Sequence, residues 1–249
     1  MNSNNGYGRF ALFYDSLMQA DYDKISNRID SLVMEFYNKR GILLDLACGT
    51  GTLCEKMAKM GYDVVGVDTS QEMLSVALDK KYDSGLSIQY LCQDMRKIDM
   101  FGTIDVTVCT LDSINHLACK EDVFETFKKV SLFAEPDGLF IFDVNTPYKH
   151  KFVLADNTFV FENDDVYCVW QNFLNDDNSV DISLDLFEKD GESYFRASES
   201  FSEISIPLDE IKNMLCESGF EVLGVYDGYE NREVSDNSER AVFVARKIK

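Results

Sequence analysis

The sequence predicts an α/β fold, a largely parallel sheet wrapped by helices, with an antiparallel β lobe inserted late in the chain. Three observations lead there. Residues 42–70, ILLDLACGTGTLCEKMAKMGYDVVGVDTS, read as an apolar strand, a small-residue turn, a helix and a second apolar strand that closes on Asp68. Further apolar runs at 104–110 and 139–144 are nearly uninterrupted, as strands buried on both faces of a parallel sheet are. From 152 to 203 the pattern alternates between apolar and polar residues, the period of antiparallel strands with one wet face.

The chain opens with two helical segments. Phe10, Phe13, Tyr14, Leu17 and Met18 recur at helical spacing, and Ile25, Ile29, Leu32, Val33 and Phe36 share one face of a second run over 22–39. A helix over 52–60 follows the first strand and its turn. After the second strand comes a helix over 71–80, capped by Thr69 or Ser70. Residues 87–92 form the third strand, 104–110 the fourth and 120–133 an amphipathic helix. The fifth strand, 139–144, starts behind a Pro136-Asp137-Gly138 turn. In the lobe, Asn163-Asp164-Asp165, Asn175-Asp176-Asp177 and Asp190-Gly191 mark the turns of a meander. A helix over 207–218 stops at Gly219, the residue type that accepts the left-handed position past a helix end. Strands at 220–226 and 241–246 finish the fold, and the polar connection between them reads as mobile.

In a parallel sheet, the strand–turn–helix–strand unit sets the turn and Asp68 side by side at the carboxyl edge, where such sheets bind ligands. Gly49 and Gly51 let the backbone approach a ligand closely. Asp68 is placed to accept hydrogen bonds from a ribose hydroxyl pair. A dinucleotide fingerprint needs a third glycine for close helix packing, and that position holds Cys54. Asp45, just before the turn, would repel a pyrophosphate and attract the ammonium of an amino acid. A nucleoside with an amino-acid tail, S-adenosyl-L-methionine, meets both conditions.

LDLACGTGT, VVGVDTSQEML, CQDMRKID and IDVTVCTLDSINHL, in that order, resemble the successive motifs of class I S-adenosylmethionine-dependent methyltransferases. The nearest group is the small-molecule one that includes sugar-amine N,N-dimethyltransferases. The resemblance covers residues 10–145 well and the remainder in layout. It implies a Rossmann-like, seven-stranded class I methyltransferase sheet. Residues 1–151 and 204–249 would form the cofactor-binding domain with an N-terminal helical lid, and 152–203 the inserted lobe. The cofactor-binding residues it implies are Asp45, Ala47, Cys48, Gly49, Thr50, Gly51, Asp68, Thr69, Met73 and Leu111. Asp94 would accept the adenine amino group and the Met95 amide would face a ring nitrogen. Ala47 stands where the family's turn often has its first glycine, and is small enough to keep the close approach. Arg9 reads either as a partner for the cofactor carboxylate or as a solvated surface residue.

A sulfonium methyl is already activated, so its transfer is an in-line displacement that depends mainly on alignment and exclusion of water. Carboxylates near the sulfur would favour the ground state, which makes Asp45 and Asp68 binding groups. The catalytic candidates are Tyr14, Asp112 and His116. In the family the transferable methyl lies above the end of the fourth strand, beside Asp112 and His116. An ammonium acceptor must lose a proton before it attacks, and a histidine suits that task. His116 is that base or a structural histidine at a helix start; His150 is the chain's other histidine. Tyr14 touches cofactor or acceptor, or packs on a helix face; Asp112 orients an acceptor amine or caps a turn. The lobe covers the acceptor pocket or serves as a dimerisation sheet, with Trp170 in its packing face.

Composition bounds the partners. The 249 residues carry a formal charge of −20, which repels nucleic-acid phosphates and anionic lipid surfaces. Thirteen acidic and two basic residues fall in 152–203 alone, a charge suited to a cationic acceptor. The seven cysteines form no C-x-x-C pair, and the opening MNSNNGYGRF has no apolar signal region. The expectation is a reduced, cytoplasmic enzyme with a small-molecule substrate, no nucleic-acid or membrane partner, and either a homodimer through the lobe or a lobe that covers the acceptor pocket. Two rival functions use the same residues: a nicotinamide-dependent oxidoreductase, and a non-catalytic cofactor-binding interaction protein.

Overall fold

The computed structural model describes residues 7–18 and 20–248, without the side chains of residues 7–9 and 18. The expectation for the Arg9 side chain therefore lies outside the described residues. The chain runs α1 (Tyr7–Met18), α2 (Tyr22–Phe36), β1 (Ile42–Leu46), α3 (Thr52–Lys59), β2 (Asp63–Asp68), α4 (Gln71–Ser84) and β3 (Ile88–Cys92). A 3₁₀ turn at Met95–Lys97 leads to β4 (Ile104–Cys109), α5 (Lys120–Phe133), β5 (Ala134–Asn145) and the single turn α6 (Pro147–Lys149), which continues as a π-turn over His150–Leu154. Next come β6 (Thr158–Glu162), β7 (Val166–Leu174), β8 (Val180–Asp190) and β9 (Ser193–Glu203). The last elements are α7 (Leu208–Glu217), β10 (Phe220–Asp227) and β11 (Arg240–Lys247).

Seven strands form one sheet in the order β10-β11-β5-β4-β1-β2-β3. β1 pairs in parallel with both β2 and β4, so the strand order reverses beside β1 and opens a crevice at the carboxyl edge. β11 runs antiparallel between β5 and β10 and brings Arg240 opposite Asn145. Phe127 of α5 packs edge-on against Phe140, and Phe142 stacks on Phe243, a buried aromatic row that ties α5 to the sheet. On the other side, α2 buries Ile25, Ile29, Leu32 and Val33 against α3 and β5. Each fully buried aliphatic side chain of this kind contributes about 1.5–3 kcal/mol.

β6-β7-β8-β9 form the separate antiparallel sheet. Its inner face presents Val166, Cys168, Ile182, Leu184 and Leu186, which join Phe10, Ala11 and Leu17 of α1 in one apolar cluster. Lid helix and lobe thus close over the crevice together.

Three local features depart from the sequence reading. β5 starts at Ala134, not Leu139: Ile104 pairs with Ala134, then the register jumps to Val106–Leu139. The Pro136-Asp137-Gly138 segment is an irregularity inside the strand, where a Cβ on Gly138 would press within 2.9 Å of the Asp105 carbonyl oxygen. α4 runs on to Ser84, because the left-handed stop residue is Gly85 (φ +67°). The connection expected to be mobile is pinned. Val234 donates to the Val225 carbonyl at 3.2 Å, Tyr226 bridges Glu233, and Tyr229 sends its hydroxyl inward to Asp143. Among the described residues, no helix is long and apolar enough to cross a membrane.

Candidate active site

A cavity of about 660 Å³ lies at the carboxyl edge of β1, β2, β3 and β4, covered by α1 and the lobe. That is the size of a small-molecule or cofactor site. One end is built by the glycine turn. The chain leaves β1 through Ala47 (φ +56°) and Gly49 (φ +53°), left-handed positions that fold the turn tightly over the strand end. Asp68 cross-links this turn to α4, its carboxylate accepting from the Gly49 amide at 2.9 Å and the Ser70 amide at 2.8 Å. Burial pushes the Asp68 carboxyl above its ordinary value, and those amides work against the rise. Ser70 caps α4 by accepting from the Met73 amide, which turns Met73 toward the cavity. Asp94 lines the same end, gripped by Arg96 through both carboxylate oxygens, and this grip holds its carboxyl below the ordinary value.

Of the residues expected at the cofactor, Ala47, Gly49, Asp68, Thr69, Met73, Asp94, Met95 and Leu111 line the cavity. Asp45, Cys48, Thr50 and Gly51 stand behind its wall, and each has a local reason. Asp45 is fully buried and accepts from the Cys54 thiol at 3.1 Å. Cys48 wedges against Gly66. Thr50 gives its hydroxyl to Asp15 of α1 at 2.8 Å, and Lys80 joins that contact, so the turn here anchors the lid. Gly51 starts α3 in a left-handed conformation under the Tyr90 ring.

The three catalytic candidates also line the cavity, Asp112 and His116 at its other end and Tyr14 between the two. After β4 the backbone passes through two consecutive left-handed residues, Leu111 (φ +56°) and Asp112 (φ +54°), a costly conformation for side-chain-bearing residues. The fully buried Asp143 on β5 holds it there, accepting from the Leu111 amide at 2.9 Å and the Asp112 amide at 2.7 Å. Arg240 then binds Asp143 and, at 2.5 Å, the Asp112 carboxylate. Burial would raise the Asp112 carboxyl, but Arg240, with Lys149 and His116, holds it at about 2. Tyr14 is pushed far above the ordinary phenol value by burial, then by Asp112, Asp15 and Asp68, so it stays protonated. Its neighbours place it between the two ends of the cavity.

His116 Nε2 lies 3.9 Å from Asp112 Oδ2 and 4.0 Å from Glu203 Oε1. Its ring tilts against Phe201, centroids 5.0 Å apart, and Phe201 meets Trp170 edge-on at 6.3 Å. Trp170 and Phe201 therefore bring the lobe's inner face into the cavity wall. The three acceptor atoms lie within 4.8 Å of one another. An ammonium nitrogen at roughly 2.7–2.9 Å from each, slightly out of their plane, can be held by this trio. Arg240 and Lys149 nearby disfavour a divalent cation.

Sequence reasoning missed Glu203, Asp143, Arg240 and the cavity role of Trp170 and Phe201. Asp143 had a signal: a lone carboxylate inside the apolar run LFIFDVN. Glu203 had none, being one acid among thirteen in the lobe.

Comparisons with known proteins agree with this architecture. A family model described as a methyltransferase domain matches residues 43–138. YqeM of Bacillus subtilis (strain 168), assigned as a methyltransferase, is 39% identical over 98% of both chains. The crystal structure of an S-adenosylmethionine-dependent methyltransferase from Clostridium acetobutylicum ATCC 824 superposes with a TM-score of 0.90 at 34% identity, covering 98% of this chain and 100% of that one. The sugar N-methyltransferase KedS8 from Streptoalloteichus sp. ATCC 53650 shares the fold, with a TM-score of 0.81 at 19% identity over 96% of this chain and 93% of that one.

Proposed function

The chain belongs to the S-adenosylmethionine-dependent methyltransferases, and from that premise we propose that it methylates an amine nitrogen of a small molecule. Membership of the family removes both rival readings. The cofactor is S-adenosylmethionine, not a nicotinamide dinucleotide, and the chain is an enzyme, not a non-catalytic binder. Cys54, where a dinucleotide site wants glycine, is buried against Asp45.

When bound, S-adenosylmethionine supplies a methyl group on a positively charged sulfur. The residues at the glycine-turn end fit it: Asp68 offers a carboxylate to ribose, Asp94 one to adenine, and open space above Gly49 allows close approach. The observation that carries the amine reading is the trio of acceptors at the other end. Three acceptor atoms, one each from Asp112, Glu203 and His116, match the three N–H donors of a primary ammonium. The carboxylates attract and orient that cation, and His116 takes its proton to free the attacking lone pair. Trp170 and Phe201 exclude water and offer aromatic faces to a cation. Tyr14, a protonated phenol between the two ends, orients the acceptor against the methyl group. The net charge of −20 favours such a substrate over a nucleic acid.

The test is a panel of amine, hydroxyl and thiol acceptors with S-adenosylmethionine, reading release of S-adenosylhomocysteine. Amines should be turned over, and His116→Ala should lower kcat by roughly 10²–10⁴-fold with cofactor affinity unchanged. Turnover confined to hydroxyl or thiol acceptors would overturn the reading.

A further inference from the structure

Behind His116 lies a second acid–base pair. His150, in the π-turn after α6, is wholly buried. Its Nδ1 lies 3.1 Å from the carbonyl oxygen of Asn178, in the turn between β7 and β8. A carbonyl oxygen only accepts, so Nδ1 carries hydrogen. Nε2 faces Glu203 Oε2 at 3.4 Å and has no hydrogen-bond partner among the described residues. An orphaned buried nitrogen calls for a physical account.

Glu203 ends β9 and is 1% exposed. Its Oε2 also accepts from the Asn145 side chain at 2.8 Å, and its Oε1 is the atom 4.0 Å from His116 Nε2. A bare imidazole nitrogen and a carboxylate oxygen repel, whereas a proton on Nε2 turns the same contact into an ion pair. An ionised carboxylate this deeply buried needs such a partner. Among the surrounding charges, Lys149 on α6 donates to Asn145 and also faces Glu203 electrostatically, Arg240 from β11 binds Asp112 and Asp143, and Asp177 beside Asn178 accepts from Ser179.

We propose that His150 and Glu203 form a buried imidazolium–carboxylate pair that keeps Glu203 charged as an acceptor for the substrate ammonium. This rests on the amine reading above. Glu203 stays ionised because His150 holds its far oxygen, and its near oxygen is left to accept an N–H of the acceptor ammonium. In the step served, an N–H bond of the acceptor ammonium breaks and the proton goes to His116 Nε2, leaving the electron pair on nitrogen. That pair then forms the bond to the methyl carbon as the carbon–sulfur bond breaks, its electrons passing to sulfur.

The chain has only two histidines, so both are resolvable by nuclear magnetic resonance. Long-range nitrogen–proton spectra of the wild-type protein should show His150 protonated on both nitrogens at neutral pH, with no acceptor required. Glu203→Gln should leave His150 neutral. A neutral His150 in the wild type, or a His150 still charged in Glu203→Gln, would overturn the pair. With an amine acceptor, Glu203→Gln should raise KM for the amine, lower kcat on the order of tenfold or more, and spare KM for the cofactor. His150→Gln, which keeps a donor toward Glu203, should retain more activity than His150→Leu; equal losses would overturn the donor role. Failure of every amine would sink the amine reading alone, since the spectra report on the pair without turnover.

Discussion

Asp143 on β5 accepts the backbone N–H of Asp112 at 2.7 Å, so a buried strand carboxylate sets the position of a cavity carboxylate 31 residues away. The same Asp143 binds Leu111, Tyr229 and Arg240. Replacing it with asparagine leaves Arg240 buried with half its compensation and presents an amide to two backbone donors. Breaking a buried ion pair in this way costs about 3–5 kcal/mol. Asp143→Asn should therefore lower the urea midpoint, and the folded fraction should turn over slowly because the Leu111–Asp112 backbone relaxes from its left-handed conformation. An unchanged midpoint would mean that Arg240 and Tyr229 hold the loop without the carboxylate.

Asp68 offers a different signature. Its oxygens hold the Gly49 and Ser70 amides and still have lone pairs facing the cavity. Asp68→Ala should weaken S-adenosylmethionine and S-adenosylhomocysteine alike, by about 1.5–3 kcal/mol as for charged hydrogen bonds. Calorimetric titration reads this directly, and equal affinity in wild type and variant would remove Asp68 from the ribose.

Gly49 and Gly51 share a motif but not a task. A Cβ on Gly49 meets no protein atom within 4 Å, so a side chain there enters space the ligand needs. A Cβ on Gly51 would collide with the Tyr90 hydroxyl and press within 2.9 Å of Ala77. Gly49→Val should abolish cofactor binding while the protein stays folded, with a strain of about 1–2 kcal/mol from its positive φ. Gly51→Ala should chiefly lower the melting temperature. The reverse pattern would mean that Gly51, not Gly49, faces the ligand.

The parallel half of the fold was legible because central strands bury both faces, and the lobe because its strands alternate. Which turn residues face the cavity was not. Thr50 and Gly49 are adjacent, yet one side chain reaches back to Asp15 while the other position opens onto the cavity, a difference of backbone direction that no residue type reveals. Arg240 and Glu203 reach the site only through topology. β11 inserts beside β5, and β9 ends beneath His116, so neither stands near the motifs in sequence. The connection before β11 looked loose from its polar composition, yet Tyr229 within it is drawn inward by Asp143.

Asp45 makes stability depend on pH. Burial pushes its carboxyl up to about 7, against a partly offsetting hydrogen bond from Cys54. The unfolded chain titrates near the ordinary value of roughly 3.9. A group raised on folding contributes its full stability below the unfolded value and loses it as pH climbs through the folded one. Wild-type stability should thus fall between about pH 4 and pH 7 by a few kcal/mol from this residue, since each tenfold change in acidity is worth on the order of 1.4 kcal/mol. Asp45→Asn mimics the neutral form and should remove that slope, leaving the variant more stable than wild type above pH 7 and nearly equal to it below pH 4. Urea titrations across this range isolate the effect as the difference between the two curves. Parallel curves would show that Asp45 is ionised in the folded protein, held by a cation or donor that replaces the Cys54 contact.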